Sequence, residues 1–222
     1  MPIFRNVGGT WKKVKTLWAN NKGTPTKVRR AFVNVGGTWK QMYANNDFTV
    51  YALGLAQTLT AAANRGLWAN GKQLYVAARS YNVYTLDSYG NVLAARSFDV
   101  FGDVAAANTN NSAAMTSYLN SLAVGTPILV VSYDEPDGGR TAALESAMYR
   151  CGATSGIFGV AKMNYRSAYL LMGYVGGAAV VELNVGSDVK DSSGNSVGAP
   201  NSAIAYTFNF TEGTFSNVTR TI

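Results

Sequence analysis

Tyr81-Asn82-Val83-Tyr84-Thr85-Leu86, then Asp87-Ser88-Tyr89-Gly90-Asn91, then Val92 to Phe98, is the stretch that decides the fold. A run rich in β-branched and aromatic residues meets an Asp/Ser/Gly/Asn cluster, and a second such run follows. That pattern predicts strand, turn and returning strand. Beyond it, Asp99 to Asn111 reads as a polar loop and Ser112 as the N-cap of a helix. Met115, Tyr118, Leu119 and Leu122 recur at helical spacing, and the helix runs to about Ala123 before a stop at Gly125. Pro127-Ile128-Leu129-Val130-Val131-Ser132-Tyr133 predicts a buried strand. The loop Asp134-Glu135-Pro136-Asp137-Gly138-Gly139-Arg140 leads to a second helix that buries Leu144, Ala147 and Met148, with Gly152 at its C′ position. Ala168 to Tyr174 and Ala178 to Leu183 form a last hairpin across Gly176-Gly177. The order β-β-α-β-α-β-β predicts a mainly-β α+β domain, a sheet with helices packed on its faces.

The rest of the 222-residue chain frames this domain. Histidine is absent and cysteine occurs once, at Cys151, which excludes Ser-His-Asp and Cys-His catalysis, His/Cys zinc sites and an internal disulfide. Few residues are charged (14%), while Gly and Tyr are abundant, a mix that favours β-structure with polar, uncharged surfaces. The expectation is a non-enzymatic protein with no cofactor and no metal. No run of about 20 apolar residues is present for a membrane span. The first residues lack the apolar region of a signal peptide, which predicts synthesis in the cytoplasm.

Charge is concentrated at one end. Residues 1–46 hold Arg5, Lys12, Lys13, Lys15, Lys22, Lys27, Arg29, Arg30 and Lys40 and no acid, a charge of +9 within a total of +7. The same segment repeats. Phe4-Arg5-Asn6-Val7-Gly8-Gly9-Thr10-Trp11-Lys12 returns 28 residues later as Phe32-Val33-Asn34-Val35-Gly36-Gly37-Thr38-Trp39-Lys40, and Trp18-Ala19-Asn20-Asn21 is echoed by Tyr43-Ala44-Asn45-Asn46. Each Gly-Gly pair suits a tight turn at positive φ, so two β-hairpins are expected, with Trp11 and Trp39 beside the turns Gly8-Gly9 and Gly36-Gly37. Hairpins this small bury too little surface alone. They are expected to serve attachment or oligomerisation, packing on each other, on other copies or on a partner. Interleaved cations and rings also suit nucleic acid, while a small aromatic core with solvated cations explains the same pattern. Specific nucleic-acid binding is not expected.

Residues 47–70 read as a connector in which Asp47 to Leu53 alternates like a strand. Gly66, Gly71 and Lys72 nearly spell a phosphate-binding loop, but Gln73 stands where Ser or Thr would hold magnesium. Residues 186–222 form a C-terminal extension whose alternating Ile204 to Phe210 predicts a strand. It either completes a sheet or pairs between subunits.

Two resemblances follow from these residues. The N-terminal segment is similar to the short Gly-Gly-x-Trp-Lys repeats of bacteriophage tail and virion proteins. Arg79 to Asp87, the Gly90 turn, Arg96-Ser97-Phe98-Asp99, Tyr118-Leu119-Asn120-Ser121-Leu122, Gly125, Val131 to Pro136 and Tyr169-Leu170-Leu171-Met172-Gly173 resemble the interleukin-like EMT inducer family, also called the GG or PANDER-like domain. That resemblance covers residues 71–185 and implies two sandwich-like antiparallel sheets flanked by short helices, no catalysis, and carbohydrate binding of the kind found in one glycosyltransferase stem domain. The disulfide cysteines of the secreted members are missing, which fits a reducing bacterial cytoplasm.

A sugar-binding loop needs planar hydrogen-bonding groups beside an aromatic face. Asp134, Glu135, Asp137 and Arg140 next to Tyr133 offer both, and Arg79, Asp99 and Asp103 are family-pattern positions expected to approach them. The competing reading has Asp134 and Arg140 capping and charge-balancing the following helix. Taken together, the expectation is a bacteriophage virion protein, a tail fibre or tail tip, that oligomerises and joins other virion proteins through residues 1–46. Its main domain displays a site for host-surface glycan. The alternatives are a purely structural collar, head-fibre or tail component, and a nucleic-acid-binding protein using the basic repeat.

Overall fold

A computed structural model describes residues 4–7, 9–13, 17–28, 30–44, 46–54, 64–105, 110–159, 162–186, 189–190, 196–198 and 202–222. The chain begins with three hairpins rather than two. Strands β1 (Phe4–Val7) and β2 (Thr10–Lys13), β3 (Leu17–Asn21) and β4 (Thr24–Val28), and β5 (Arg30–Val35) and β6 (Thr38–Ala44) each form a separate two-stranded antiparallel sheet. Their turn asparagines Asn6, Asn20 and Asn34 stand 14 residues apart, so the 28-residue spacing is two steps of a shorter unit. The middle copy is disguised because Lys22 replaces the first glycine, and Pro25 stands where the outer copies have Trp11 and Trp39. Its turn is the same nonetheless. Lys22 and Gly23 lie at φ 50° and 85°, as Gly36 and Gly37 lie at 59° and 82°. The turn side chain is reused as well: Gly9 N–H donates to Asn6 Oδ1 at 2.9 Å and Gly23 N–H to Asn20 Oδ1 at 2.7 Å. Gly8 and the side chain of Trp11 lie outside the described residues.

The remainder is a folded-over sheet carrying helices. Its elements are β7 (Asn46–Leu53), β8 (Gly66–Ala69), β9 (Lys72–Tyr75), β10 (Ser80–Leu86), β11 (Val92–Phe98), α1 (Gly102–Ala105), α2 (Asn111–Ser121), β12 (Pro127–Tyr133), α3 (Ala142–Arg150), β13 (Ala168–Tyr174) and β14 (Ala179–Val185). A short hairpin of β15 (Val189–Lys190) and β16 (Ser196–Gly198) precedes β17 (Ala203–Thr211) and β18 (Thr214–Arg220). One antiparallel half runs β11-β10-β12-β13-β14, the other β9-β8-β7-β17-β18. A single parallel bridge, Tyr133 beside Leu53, joins them, and Asp134 N–H donates to Leu53 O at 3.0 Å.

Period two explains the layers. Tyr81, Val83, Ile128, Val130, Tyr169 and Leu171 point to one face, where they meet Met115 and Leu119 of α2 and Leu144 and Met148 of α3. Their neighbours Tyr84, Leu86, Leu129, Val131, Leu170 and Met172 point to the other, against Phe48, Val50, Ile204, Phe208 and Phe210 of the second half. The first half is therefore covered on both faces, which is why β12 reads as an unbroken apolar run. The outcome is a helix layer, a sheet and a second sheet: the mainly-β α+β class with sandwich-like sheets. Burial of each such side chain stabilises by about 1.5–3 kcal/mol.

Several expectations change in detail. Residues 47–70 contribute β7, a central strand of the second half, and β8. Asn70 and Gly71, at φ 55° and 77°, turn β8 into β9, so Gly66, Gly71 and Lys72 belong to a hairpin and not to a phosphate loop. The polar stretch after β11 contains α1. Ser112 is not an N-cap. The Asp103 carboxylate takes the first N–H groups of α2, from Asn111 at 2.9 Å and Ser112 at 2.7 Å, while Ser112 Oγ lies 3.0 Å from Thr141 Oγ1. Thr141 caps α3 instead, accepting from Leu144 N–H at 3.2 Å. Gly125 serves a turn after α2, where its N–H donates to Val175 O at 2.8 Å, and Gly152 ends α3 at φ 98° as expected. β17 completes a sheet within the chain, pairing with β7 from Phe210 beside Asn46 to Ala203 beside Leu53.

Candidate functional site

The β10–β12–β13 end of the first half gathers most of the residues singled out in the sequence. Three non-glycine residues there take the left-handed conformation: Ser80 at φ 70°, Asp134 at 61° and Arg166 at 58°. Ser80 opens β10, Asp134 follows β12 and Arg166 stands two residues before β13, so a strained residue lies at or within two residues of one end of each of three adjacent strands. Such clusters mark places where chain direction is held against local preference.

Beneath them lies a floor of buried groups. Glu135 is 2% exposed, and its Oε1 accepts from Asp137 N–H at 2.6 Å and Gly138 N–H at 3.3 Å. Its Oε2 accepts from Arg166 N–H at 3.0 Å. Burial outweighs these donors and pushes the carboxyl up to about 7. The Asp134 carboxylate lies 3.3 Å from Arg166 Nε. The Arg140 side chain is buried too: its guanidinium stands 3.1 Å from Glu145 Oε1 in the first turn of α3, donates to Phe158 O, and covers the Phe158 ring at 4.3 Å. Charge balance with the helix, one of the two sequence-based readings, thus describes Arg140; Asp134 faces Arg166 instead. Tyr133 is 1% exposed, its hydroxyl accepts from Arg65 Nη1 at 2.7 Å, and the guanidinium covers its ring at 4.3 Å. It presents no free aromatic face, because β12 is an interior strand.

Above the floor is a polar rim that reaches solvent. Arg79 grips Asp99 with two bonds, Nε to Oδ1 at 2.9 Å and Nη2 to Oδ2 at 2.6 Å, and lies 5.1 Å from the centre of the Phe101 ring. The hydrogen bond to Asp99 holds its guanidinium above its ordinary value, against burial, with Asp134 and Glu135 adding to the attraction. Asp137 stands 3.8 Å from Arg140 Nη1, and Arg166 lies over the half-buried Tyr165 ring at 4.8 Å. The two loops of the rim are pressed together. A Cβ on Gly138 would come within 2.7 Å of the Phe101 ring, and one on Gly139 within 2.0 Å of Val100 O. Asp103, by contrast, is turned to α2.

Arg65, Phe101, Tyr165 and Arg166 were not singled out from sequence. The signal was weak: Tyr165-Arg166 stands just before an apolar strand, with Ser167 between, but nothing local tells that Arg166 N–H meets Glu135, 31 positions away. The arrangement offers planar donors and acceptors beside ring edges, fixed by a rigid floor, which suits binding of a polar, hydrogen-bonding ligand. Among the described residues no cluster of three carboxylate or thiol groups is placed to hold a metal ion. No helix among them is long and apolar enough to cross a membrane.

Residues 79–177 match the family described as interleukin-like EMT inducer. The matched segment opens on Arg79, holds both loops of the rim, and ends in the turn after β13. The hairpins, β7 to β9 and β17 to β18 lie outside it. No curated protein matches the chain.

Proposed function

We propose that this is a bacteriophage virion protein, part of a tail fibre or tail tip, that acts by binding and not by catalysis. Residues 1–46 join it to further copies and to other virion proteins, and the domain bearing the rim displays it to host-surface carbohydrate. The observation that carries this reading is the state of the hairpins. Among the described residues their three sheets share no ladder with one another or with the sandwich, and Trp18 (63%), Phe32 (49%) and Trp39 (68%) are exposed. Two-stranded sheets with bare rings are unstable in water, so they call for a cover.

The rim supports the second half of the reading. The Arg79–Asp99 pair supplies planar, fixed hydrogen-bonding groups next to Phe101, the chemistry that sugar hydroxyls and ring C–H groups use. Its match to interleukin-like EMT inducer agrees with a binding module.

The test joins two measurements on the full chain. Light scattering should show a defined oligomer that falls to monomer when Trp18, Phe32 and Trp39 are all changed to Ser, with the melting temperature of the sandwich kept. A glycan array with the unaltered protein should show binding that this triple change reduces through lost multivalency. A monomer at every concentration, or an oligomer indifferent to the triple change, would sink the attachment role.

A further inference from the structure

A polar cleft of about 610 Å³ opens at the opposite end of β10 from the rim. It lies where the β8–β9 hairpin, the turn before β11 and the first residue of β5 meet. Its volume falls within the roughly 300–1,000 Å³ of small-ligand sites. Arg30, Asn70, Lys72, Leu74, Tyr75 and Asn91 contribute to its walls, and among the described residues no acidic one lines it.

Charge gives the cleft a sign. Two carboxylates stand near by in sequence, and both are taken. Asp47 pairs with Lys27 at 3.1 Å and accepts from Asn209 Nδ2 at 2.6 Å. Asp87 accepts from Tyr89 N–H, Asn91 N–H and Asn91 Nδ2. Arg30 and Lys72 are exposed and have no ion-pair partner among the described residues. Two unpaired cations at one opening attract an anion and raise its local concentration.

The walls are set by internal bonds. Asn70 Nδ2 donates to Asn46 Oδ1 and Asn46 Nδ2 to Gly90 O, both at 3.3 Å, and Asp47 N–H donates to Asn70 Oδ1 at 3.2 Å. Tyr75 keeps 38% exposure while its ring rests 5.8 Å from the buried Tyr84 ring, and Leu74 beside it is 42% exposed. A held aromatic ring, amides and two cations around an open cleft match a sugar carrying a negative group. We infer that this cleft binds an acidic saccharide, a carboxylate- or phosphate-bearing sugar of one or two rings. The inference concerns a place separate from the rim and does not rest on it.

The experiment is ligand-observed saturation-transfer NMR on the full chain, titrating a glucuronate-containing disaccharide. Its arms are the neutral disaccharide, inorganic phosphate and adenosine monophosphate. Saturable binding of the acidic disaccharide is expected, at least about tenfold tighter than the neutral one, and weakened at least about tenfold by Arg30→Gln with Lys72→Gln. Arg79→Ala at the rim should leave it unchanged, which separates this site from the one proposed above. Both exchanged side chains are exposed, so the melting temperature should hold. No binding up to about 10 mM, equal binding of the neutral sugar, or indifference to the double change would overturn the inference. So would phosphate alone matching the whole affinity, or tighter binding of the nucleotide.

Discussion

The backbone N–H of Arg166 donates to Glu135 Oε2 at 3.0 Å, and through this bond the turn leading into β13 is tied to the loop after β12. Arg166 and Asp134 both hold left-handed backbone; the buried Glu135 carboxyl fixes Arg166 directly, and the Asp134 carboxylate pairs with the Arg166 side chain. A rim built on loops needs such an anchor, since loops otherwise fluctuate.

That anchor makes stability depend on pH. Burial raises the Glu135 carboxyl from 4.5 to about 7 in the folded chain. The folded state therefore holds the proton more tightly. The stabilisation is complete below about pH 4.5 and is lost as pH rises through about 7, by at most about 3 kcal/mol. Urea unfolding at pH 4.5, 6 and 8 should show this loss in the natural protein and not in Glu135→Gln. Parallel pH curves for the two proteins would refute the assignment.

The contact of Gly139 with Val100 O leads to a steric prediction. At φ 75°, with a Cβ falling 2.0 Å from a carbonyl oxygen, Gly139→Ala should destabilise by about 2–4 kcal/mol. Gly177→Ala, with ordinary contacts at 3.5 Å and beyond, should cost under about 1 kcal/mol. Equal melting temperatures for the two variants would mean that the loops are not pressed together as described.

A buried hydroxyl supplies the converse case. Tyr84 Oη is buried and makes no hydrogen bond, and burial raises the phenol well above its ordinary value. Tyr84→Phe removes an unsatisfied group without leaving a cavity, so it should be neutral or stabilise by up to about 1 kcal/mol. A loss above about 1 kcal/mol would reveal a partner for the hydroxyl.

How far the sequence could be read follows from the range of each interaction. β10, β11, α3, β13 and β14 announce themselves, because alternation, turn residues and the Gly152 stop are local. The partnership of β7 with β17 joins residues 46–53 to 203–210, and no local pattern encodes it. Asp103 capping α2 from eight positions away displaced Ser112 for the same reason. The third hairpin hid behind Lys22 and Pro25, though the 14-residue spacing of its asparagine was visible. At the candidate site the residue types were legible, but their burial was not. Tyr133, Glu135 and Arg140 form the floor because two loops close over them.

Basic charge in the hairpins bears on a third partner. If the +9 segment neutralised phosphates, affinity for DNA would fall linearly in log salt. Weak, non-specific binding is expected, with a Kd no tighter than about 10⁻⁶ M near physiological salt. Fluorescence anisotropy with labelled single and double strands would measure it. Submicromolar binding abolished by Trp18→Ser with Trp39→Ser would instead make the repeat a nucleic-acid surface.

The division into rim and floor predicts opposite consequences for neighbouring arginines. Arg79 and Asp99 are about a third exposed, and solvent screening limits what such a pair adds to stability to about 1 kcal/mol or less. Arg79→Ala should therefore leave the melting temperature nearly unchanged. If the pair orients a sugar hydroxyl, the same change should weaken glycan binding by about 1–3 kcal/mol. Arg140 is different. It is 6% exposed at the side chain and compensates Glu145, at 11%. Arg140→Ala would leave that carboxylate buried without its partner, and breaking such a pair costs about 3–5 kcal/mol. Its binding loss should then track unfolding, disappear when compared at equal folded fraction, and be partly relieved by adding Glu145→Gln. Calorimetry and glycan binding on the two single variants and the double variant separate these outcomes. A large stability loss at Arg79, or a binding defect at Arg140 with an unchanged melting temperature, would reverse which arginine belongs to the rim.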